Sequence, residues 1–233
     1  GSATRMFKDL YHFMDTYHGT VGEFLEFVQV KEPGSMHDFF LKLDELPFYM
    51  HLSAAMWHNG KDISKMVEKR EFNEILKYIL GKKGLNYGNT PKGLVDFHIY
   101  RDFVRTAFDE HLVEGALYCN NGKTANLHFT VSEEYMNLFK TRLKKVTKVF
   151  EKMFNIKYNV TFSIQKPCTD TVSIDTDGNI LRDETGKVVF RPGGHGALIY
   201  NLNELKADII FIKNIDNVIP DRSKGDTVKY KKL

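Results

Sequence analysis

"NLHFTVSEEYMNLFKTRLKKVTKVFEKMFNIKYNVTFSIQ", running from Asn126 to Gln165, contains the pattern that decides the fold class. "NLHFTV" at its start and "NVTFSIQ" at its end each predict a strand, because both are rich in β-branched and aromatic residues. The stretch between them spaces its apolar residues three or four apart and opens on glutamates, as expected at a helix N-terminus. Strands separated by a helix pair in parallel through right-handed crossovers, so the sequence predicts an α/β fold.

The same alternation continues on both sides of this stretch. Upstream, "YRDFVRTAFDEHLVEGALY" predicts an amphipathic helix. Downstream, a glycine-rich corner at Gly193 leads into a helix near Ala197 to Leu205 and then into the strand "ADIIFIKN". We therefore expect a mainly parallel, doubly wound sheet. Ligands of such sheets bind beyond the carboxyl ends of the strands, which here carry Ser132, Gln165 and residues 214–217.

The first third of the chain has a different rhythm. From Met6 to about Leu85, successive stretches such as "RMFKDLYHFMDTY" and "SKMVEKREFNEILKYIL" have helical spacing, and "KEPGS" and "HNGKD" separate them as turns. The apolar stripes of these helices indicate packing surfaces rather than a cofactor site. We expect a helical insertion lobe at 6–88 and an α/β core at 89–233, with 1–5 starting a phosphate loop.

A polar stretch between the second strand and the glycine corner predicts a hairpin or meander. "TVSIDTDGNILRDETGKVVF" contains two turn signals, Asp-Gly-Asn and Thr-Gly-Lys, each flanked by residues that favour strands. Asp175, Asp177 and Asn179 imitate the start of a calcium loop. Ile180, however, occupies the position at which that loop requires glycine, so calcium is not expected.

The composition bounds the class of protein. A chain of 233 residues with 42% hydrophobic residues can form a substantial core. A formal net charge of +3 lacks the concentrated basic excess of a dedicated nucleic-acid binder, and suits a nucleotide-sized anion better. Cys119 and Cys168 predict reduced thiols in a cytoplasmic protein, because no signal peptide or transmembrane run is evident.

The glycine-rich corner is a candidate ligand site. Gly193, Gly194 and Gly196 have no Cβ, so backbone amides can approach an anion or a planar base, and the N-terminus of the following helix points at the same place. An ordinary tight turn between a strand and a helix explains the glycines equally well. "GGHG" matches neither the Walker lysine loop nor the dinucleotide fingerprint.

Asp216 is a candidate magnesium ligand at the end of the apolar run "IIFI". Magnesium takes one or two carboxylates and completes its shell with water and substrate phosphates. The alternative is an Asx turn formed by Asp216 or Asn217. Lys166 and Arg191 add positive charge, which suits phosphoryl or nucleotidyl transfer because that chemistry needs positioning and charge neutralisation.

Two stretches near the other end of the chain complete the candidate set. "GSATRM" places Arg5 after a run of small residues, and "TPKGLVDF" presents Lys92 in a turn formed by Pro91 and Gly93. Together, "GSATRM", "PKGL", "FSIQKP", "RPGGHGAL" and "FIKNIDN" resemble, in order, the motifs of the sugar-nucleotide pyrophosphorylases, especially the UDP-sugar branch. Over essentially its whole length, the chain also resembles an uncharacterised bacterial family of longer, nucleotidyltransferase-like proteins, of which it looks like a fragment.

The resemblance implies an activity and a role for each site residue. A sugar 1-phosphate oxygen would attack the α-phosphorus of UTP, giving a UDP-sugar and pyrophosphate, with Mg²⁺ as cofactor and no side chain as nucleophile. Arg5 and Lys92 would contact the triphosphate or stabilise charge on the leaving pyrophosphate, and Asp216 would bind magnesium. Gln165 and the backbone of Gly194 to Gly196 would face the uracil, and His195 would lie near the base or the sugar phosphate. The remaining residues of the substrate site would be Lys166, Arg191, Gly193 and Asn217.

The chain also departs from that family. The helical lobe separates Arg5 from Lys92, Ser2 and Ala3 stand where glycines are common, and Ala197 replaces an acidic residue. The sequence opens inside the first loop and stops soon after "NIDNVIPD", so we expect an incomplete active site. Two alternatives therefore stay open: a catalytically inactive nucleotide-binding protein, and an interaction protein that works through its helical lobe.

Overall fold

The computed structural model describes residues 3–232 and has a mixed α/β fold that includes a parallel pair of strands. The described chain divides into two compact units. The first comprises the residues up to His111 together with 214–231, and the second comprises residues 112–213 and Lys232. No helix in the described range is long and apolar enough to cross a lipid bilayer.

The first unit begins with a run of short helices, as the apolar spacing predicted. They are α1 Lys8–Thr16, α2 Val21–Gln29, α3 Met36–Leu41, α4 Tyr49–His58, α5 Ile63–Glu68 and α6 Phe72–Leu80. Side-chain caps fix several of their starts. At α2, the Thr20 hydroxyl accepts a hydrogen bond from the Glu23 amide at 3.3 Å, and the Glu23 carboxylate accepts one from the Thr20 amide at 2.9 Å.

These helices share one apolar core, whose buried members all come from residues between Ala3 and Val95. An aromatic cluster forms part of it, with ring centroids 4.4 Å apart for Phe40 and Phe72 and 5.9 Å apart for Phe13 and Phe40. Aromatic pairs of this kind add stability beyond the area that they bury. The division into a lobe at 6–88 and a core at 89–233 stays a prediction.

The helical run is followed by an antiparallel hairpin, β1 Asp96–Ile99 and β2 Val104–Thr106, and by helix α7 Ala107–Tyr118. The prediction of one helix from Tyr100 to Tyr118 was therefore wrong in its first part. The Thr106 hydroxyl caps the Asp109 amide at 3.2 Å and the Asp109 carboxylate caps the Thr106 amide at 2.9 Å, so the helix begins after Thr106. Helix α10 Lys224–Lys231 also belongs to the first unit.

The second unit contains the predicted strand–helix–strand motif. Strand β3 Thr124–Val131, helix α8 Met136–Phe154 and strand β4 Lys157–Ile164 follow one another, and the strands pair in parallel from Thr124 opposite Lys157 to Val131 opposite Ile164. Phe139 of α8 lies against Phe162 of β4, with ring centroids 6.5 Å apart. The helix therefore packs on the apolar face of the strand pair, which confirms the motif.

The predicted meander is also present in the second unit. Strands β5 Thr171–Val172 and β6 Phe190–Arg191 pair antiparallel, and isolated bridges join Ile174 to Ile180 and Arg182 to Val188. Gly178 and Gly186 close the two turns with φ of 86° and 81°. Residues with a Cβ avoid that backbone conformation, which explains why both turns contain glycine.

One predicted strand of the sheet was wrong. The run from Ala207 to Asn214 forms no strand: Phe211 packs on Tyr118 with ring centroids 5.4 Å apart, and Lys213 pairs with Glu114 at 2.6 Å, so the run lies along α7. The apolar pattern of a segment does not show whether another strand is available to pair with it. Each sheet of the described chain has two strands, and only β3 and β4 pair in parallel there, so the doubly wound sheet stays a prediction.

Candidate phosphate-binding cleft

A cleft of about 470 Å³ in the first unit brings together three of the predicted site residues. Arg5, Lys92 and Asp216 line it, with Met6 and Phe97 as apolar neighbours, and we call it the basic cleft. Arg5 lies on a 3₁₀ turn at Thr4–Phe7, and Lys92 on another at Lys92–Leu94. Two cations and one carboxylate leave the lining with a net positive charge.

Backbone and ring contacts hold the two turns side by side. The Ala3 amide donates a hydrogen bond to the Thr90 carbonyl at 3.0 Å, and the Ala3 side chain is fully buried. The ring of Phe7 stacks on that of Tyr87 with centroids 5.5 Å apart. Because each turn is fixed to the other, Arg5 and Lys92 reach the same cleft although the helical run separates them in sequence.

Lys92 and Asp216 form an ion pair inside the cleft. The Lys92 ammonium lies 2.7 Å from Asp216 Oδ2, and the two side chains are 31% and 39% exposed. The hydrogen bond from Lys92 holds the pKa of the Asp216 carboxyl below its ordinary value, against the opposing effect of partial burial. The Asn217 amide donates to the Asn214 carbonyl at 3.0 Å and closes the turn that carries Asp216.

The cleft offers one carboxylate to a metal ion. Among residues 3–232, no group of three or more histidine, cysteine, aspartate or glutamate side chains could hold a metal by itself. Magnesium is nevertheless often held by one or two carboxylates, with substrate phosphates and water filling the remaining positions. Asp216 therefore fits a magnesium ion that arrives together with phosphate oxygens, and does not make a metal site alone.

The glycine corner lies in the second unit, and only one of its glycines is required by packing. A Cβ at Gly193 would lie 2.6 Å from the Thr169 carbonyl oxygen and 3.6 Å from Gln165 Nε2. Gly194 and Gly196 border open space and have no left-handed φ. The structure thus brings Gln165 beside Gly193, and leaves room for a ligand next to Gly194 and Gly196.

The helix that follows the corner differs from the prediction. A 3₁₀ turn at His195–Leu198 comes first, and helix α9 Ile199–Asn203 is only five residues long. The Ala197 amide donates to the Gly194 carbonyl at 2.9 Å, so it does not point at a ligand as predicted. Asn201 anchors the helix by donating to the Ile164 carbonyl at 2.8 Å, at the carboxyl end of β4.

The remaining predicted residues of the second unit are at the surface. Lys166 Nζ pairs with Glu204 at 2.5 Å, which neutralises the charge expected to face a phosphate. Arg191 is exposed on β6, opposite Thr171, and His195 is exposed at the start of its turn. The roles assigned to these side chains therefore stay predictions.

A family model described as "Domain of unknown function (DUF4301)" matches residues 1–233. The chain belongs to the DUF4301 family. Comparison with curated proteins and with solved structures gave no match.

Sequence reasoning missed a network of charged and polar residues, built around buried Arg105, Glu110 and Lys224, in the first unit of this DUF4301 chain. Its members are His98, Tyr100, Arg105, Glu110, Asp221 and Lys224. At the centre is Glu110, which is 0% exposed and accepts hydrogen bonds from Lys224 at 2.6 Å and Tyr100 at 2.6 Å. The sequence signal that could have revealed this network is the presence of charged residues on the apolar side of a predicted helix. Such residues are almost never buried unless they are paired, so each of them implies a partner.

Proposed function

We propose that this protein binds a nucleoside triphosphate, with UTP favoured, and transfers its uridylyl group to a sugar 1-phosphate. The products would be a UDP-sugar and pyrophosphate. The observation that carries the proposal is the basic cleft, in which Arg5, Lys92 and Asp216 meet from three distant parts of the sequence. These residue types neutralise phosphate charge and hold a phosphate-bound cation.

The two cations have complementary abilities. The guanidinium of Arg5 can donate two parallel hydrogen bonds to a phosphate group, and the ammonium of Lys92 acts as a mobile point charge. Nucleotidyl transfer requires little covalent chemistry from the protein, because positioning and charge neutralisation account for most of the catalysis. An arginine, a lysine and a carboxylate in one cleft therefore meet the main chemical need of the proposed reaction.

Asp216 would contribute one carboxylate oxygen to a magnesium ion. When bound, the metal would neutralise charge that develops on the phosphates. The residues of this chain would orient the phosphates and hold that metal: Lys92 would leave Asp216 for a phosphate oxygen, and Asp216 would then be available to the cation. Both side chains are partly exposed, so a ligand can reach them from solvent.

The resemblance assigns recognition of the base to Gln165 and to Gly194 to Gly196. Support comes from Gln165, whose amide lies beside Gly193, and from the open space next to Gly194 and Gly196. The family resemblance also implies a doubly wound sheet. The β3–α8–β4 motif, with its parallel pair of strands, supports this part of the proposal. A cytoplasmic location completes the proposal and agrees with thiols at Cys119 and Cys168.

The experiment that tests the proposal measures ligand-induced stabilisation. UTP, dTTP, ATP, GTP and UDP-sugars are compared with and without magnesium, in the wild-type protein and in Asp216→Asn. A ligand present at about a hundred times its dissociation constant adds about 2.7 kcal/mol to the stability of the folded state. A magnesium-dependent shift with UTP that is lost in Asp216→Asn supports the proposal. No shift with any nucleotide contradicts it.

A catalytically inactive nucleotide-binding protein is the second candidate. The observation that favours it is the Lys92–Asp216 ion pair, since it occupies the one carboxylate found among the described residues that line the cleft. Turnover separates the two candidates. Pyrophosphate release from UTP and a panel of sugar 1-phosphates is expected from the enzyme, whereas the binding protein gives the thermal shift without release.

A further inference from the structure

We infer that His111, supported by the buried pair of Glu110 and Lys224, is a positioning residue that holds Asp216 in the basic cleft. The inference rests on the proposed function, because it concerns the same cleft. Residues 214–220 belong to no helix or strand, so no backbone ladder fixes the loop that carries Asp216. Side chains from the start of α7 fix it instead.

The first attachment lies directly next to Asp216. Nε2 of His111 lies 3.0 Å from the carbonyl oxygen of Ile215, and because a carbonyl only accepts, His111 donates this hydrogen bond. The Ile215 carbonyl belongs to the peptide group that continues into Asp216. The bond therefore fixes the orientation of the backbone from which the Asp216 carboxylate reaches Lys92.

The second attachment lies a few residues further along the loop. Lys224 donates hydrogen bonds to the Ile219 carbonyl and to Glu110 Oε2, the latter at 2.6 Å, and both charged side chains are almost completely buried. Arg105 adds a link to Asp221 at 2.7 Å. Buried charges of this kind persist only when they are paired in good geometry, so the Ile219 end of the loop is held firmly.

Two neighbouring residues of α7 thus hold the loop on both sides of Asp216 through hydrogen bonds. Glu110 acts through Lys224 after Asp216, and His111 acts on the peptide group before it. Neither residue lines the cleft. Their effect on ligands must pass through Asp216, which defines them as positioning residues. Partners that orient a ligand-binding side chain typically contribute 10-fold to 100-fold in metal affinity.

The test compares His111→Leu with His111→Gln. Leucine removes the N–H donor, whereas the glutamine amide can place an N–H group near the position of Nε2. Exposed His12 of α1 provides a matched control, His12→Leu. The first readout is hydrogen exchange at the Asn217 amide, which closes the turn around Asp216 and needs no ligand. We expect exchange at least about 10-fold faster in His111→Leu, and near wild type in His111→Gln and His12→Leu.

The second readout is the affinity for magnesium pyrophosphate, measured by calorimetry in a double-mutant cycle with Asp216→Asn. His111→Leu should weaken binding about 10-fold in the wild-type background and have little further effect when Asp216 is already asparagine. Unchanged exchange at Asn217 in a folded His111→Leu protein overturns the inference. Absence of binding by the wild-type protein contradicts the proposed function instead, and the exchange data then still decide the positioning role.

Discussion

The ammonium group of Lys92 lies 2.7 Å from Asp216 Oδ2, although 124 positions separate the two residues in sequence. Each of them is the group that one ligand of the basic cleft would need. A phosphate would compete with Asp216 for Lys92, and a divalent cation would compete with Lys92 for Asp216. Either ligand alone would have to break the ion pair, whereas a second ligand would find it already broken. Phosphate and metal are therefore expected to bind cooperatively.

Asp216→Asn should strengthen the binding of pyrophosphate in the absence of metal while removing the magnesium dependence. Exposed ion pairs contribute about 0.2–1 kcal/mol, so the expected gain in metal-free affinity is at most about five-fold. Isothermal titration with and without magnesium measures both effects. Asp102→Asn, at another exposed position, should change neither. Weaker metal-free binding in Asp216→Asn would contradict the competition between the two ligands.

Arg5→Gln should weaken pyrophosphate binding, because it removes a positive charge from the basic cleft. The expected loss is only about five-fold, or ~1 kcal/mol, because an exposed cation is screened by solvent and salt. The loss should shrink as ionic strength rises. Binding isotherms at several salt concentrations provide the measurement, and Lys8→Gln at a nearby exposed position serves as the control. Equal losses in both variants would mean that net charge, rather than the cleft, attracts the anion.

Local patterns in the sequence were sufficient for part of the fold. The strand–helix–strand motif from Thr124 to Ile164 was predicted because its apolar period changes from two to three or four and back within one continuous stretch. The meander was predicted from two turn signals flanked by residues that favour strands, and the structure gives the glycines of these turns, Gly178 and Gly186, a left-handed backbone. In both cases, the residues that determine the structure lie close together in the chain.

Features that depend on distant partners were missed. The apolar run at Ala207–Asn214 has strand composition, yet its side chains pack along α7, and composition does not specify the partner. Glu110 and Lys224 are 114 positions apart, and the local sequence around either residue does not indicate that the other is buried beside it. Only the family resemblance led us to expect Arg5, Lys92 and Asp216 in one site. The local sequence around each residue indicates a turn and does not by itself indicate a ligand site.

Glu110→Gln should destabilise the protein by at most about 3–5 kcal/mol, because buried Lys224 loses its counter-charge at 2.6 Å and keeps only the partly exposed Asp221 at 3.2 Å. Burial alone raises the pKa of the Glu110 carboxyl, but hydrogen bonds from Lys224, Tyr100 and His98 outweigh it and place this pKa below the ordinary value of 4.5. Ionised Glu110 therefore contributes stability above about pH 4.5, and this contribution is lost as the pH falls through the pKa of the folded state.

Urea unfolding of wild type and Glu110→Gln across this pH range measures the difference directly. The gap between their free energies of unfolding should be constant near neutral pH and should close below pH 4.5. Glu133→Gln, at an exposed position, should be nearly neutral throughout. A gap that widens on acidification would mean that Glu110 is stabilised in its protonated form, contrary to its contacts with cations.

Gly193→Ala should be destabilising, whereas Gly194→Ala and Gly196→Ala should fold normally. The added Cβ at Gly193 would lie 2.6 Å from the backbone oxygen of Thr169, and neither backbone can yield easily. Overpacking of this kind costs about 1–3 kcal/mol. At the other two glycines the Cβ would enter open space. Urea unfolding of the three variants checks this ranking.

Gly194→Ala then tests the ligand role of the glycine corner separately from stability. Unchanged stability with weaker UTP binding supports a base in the open space beside Gly194. Unchanged UTP binding places the nucleotide elsewhere.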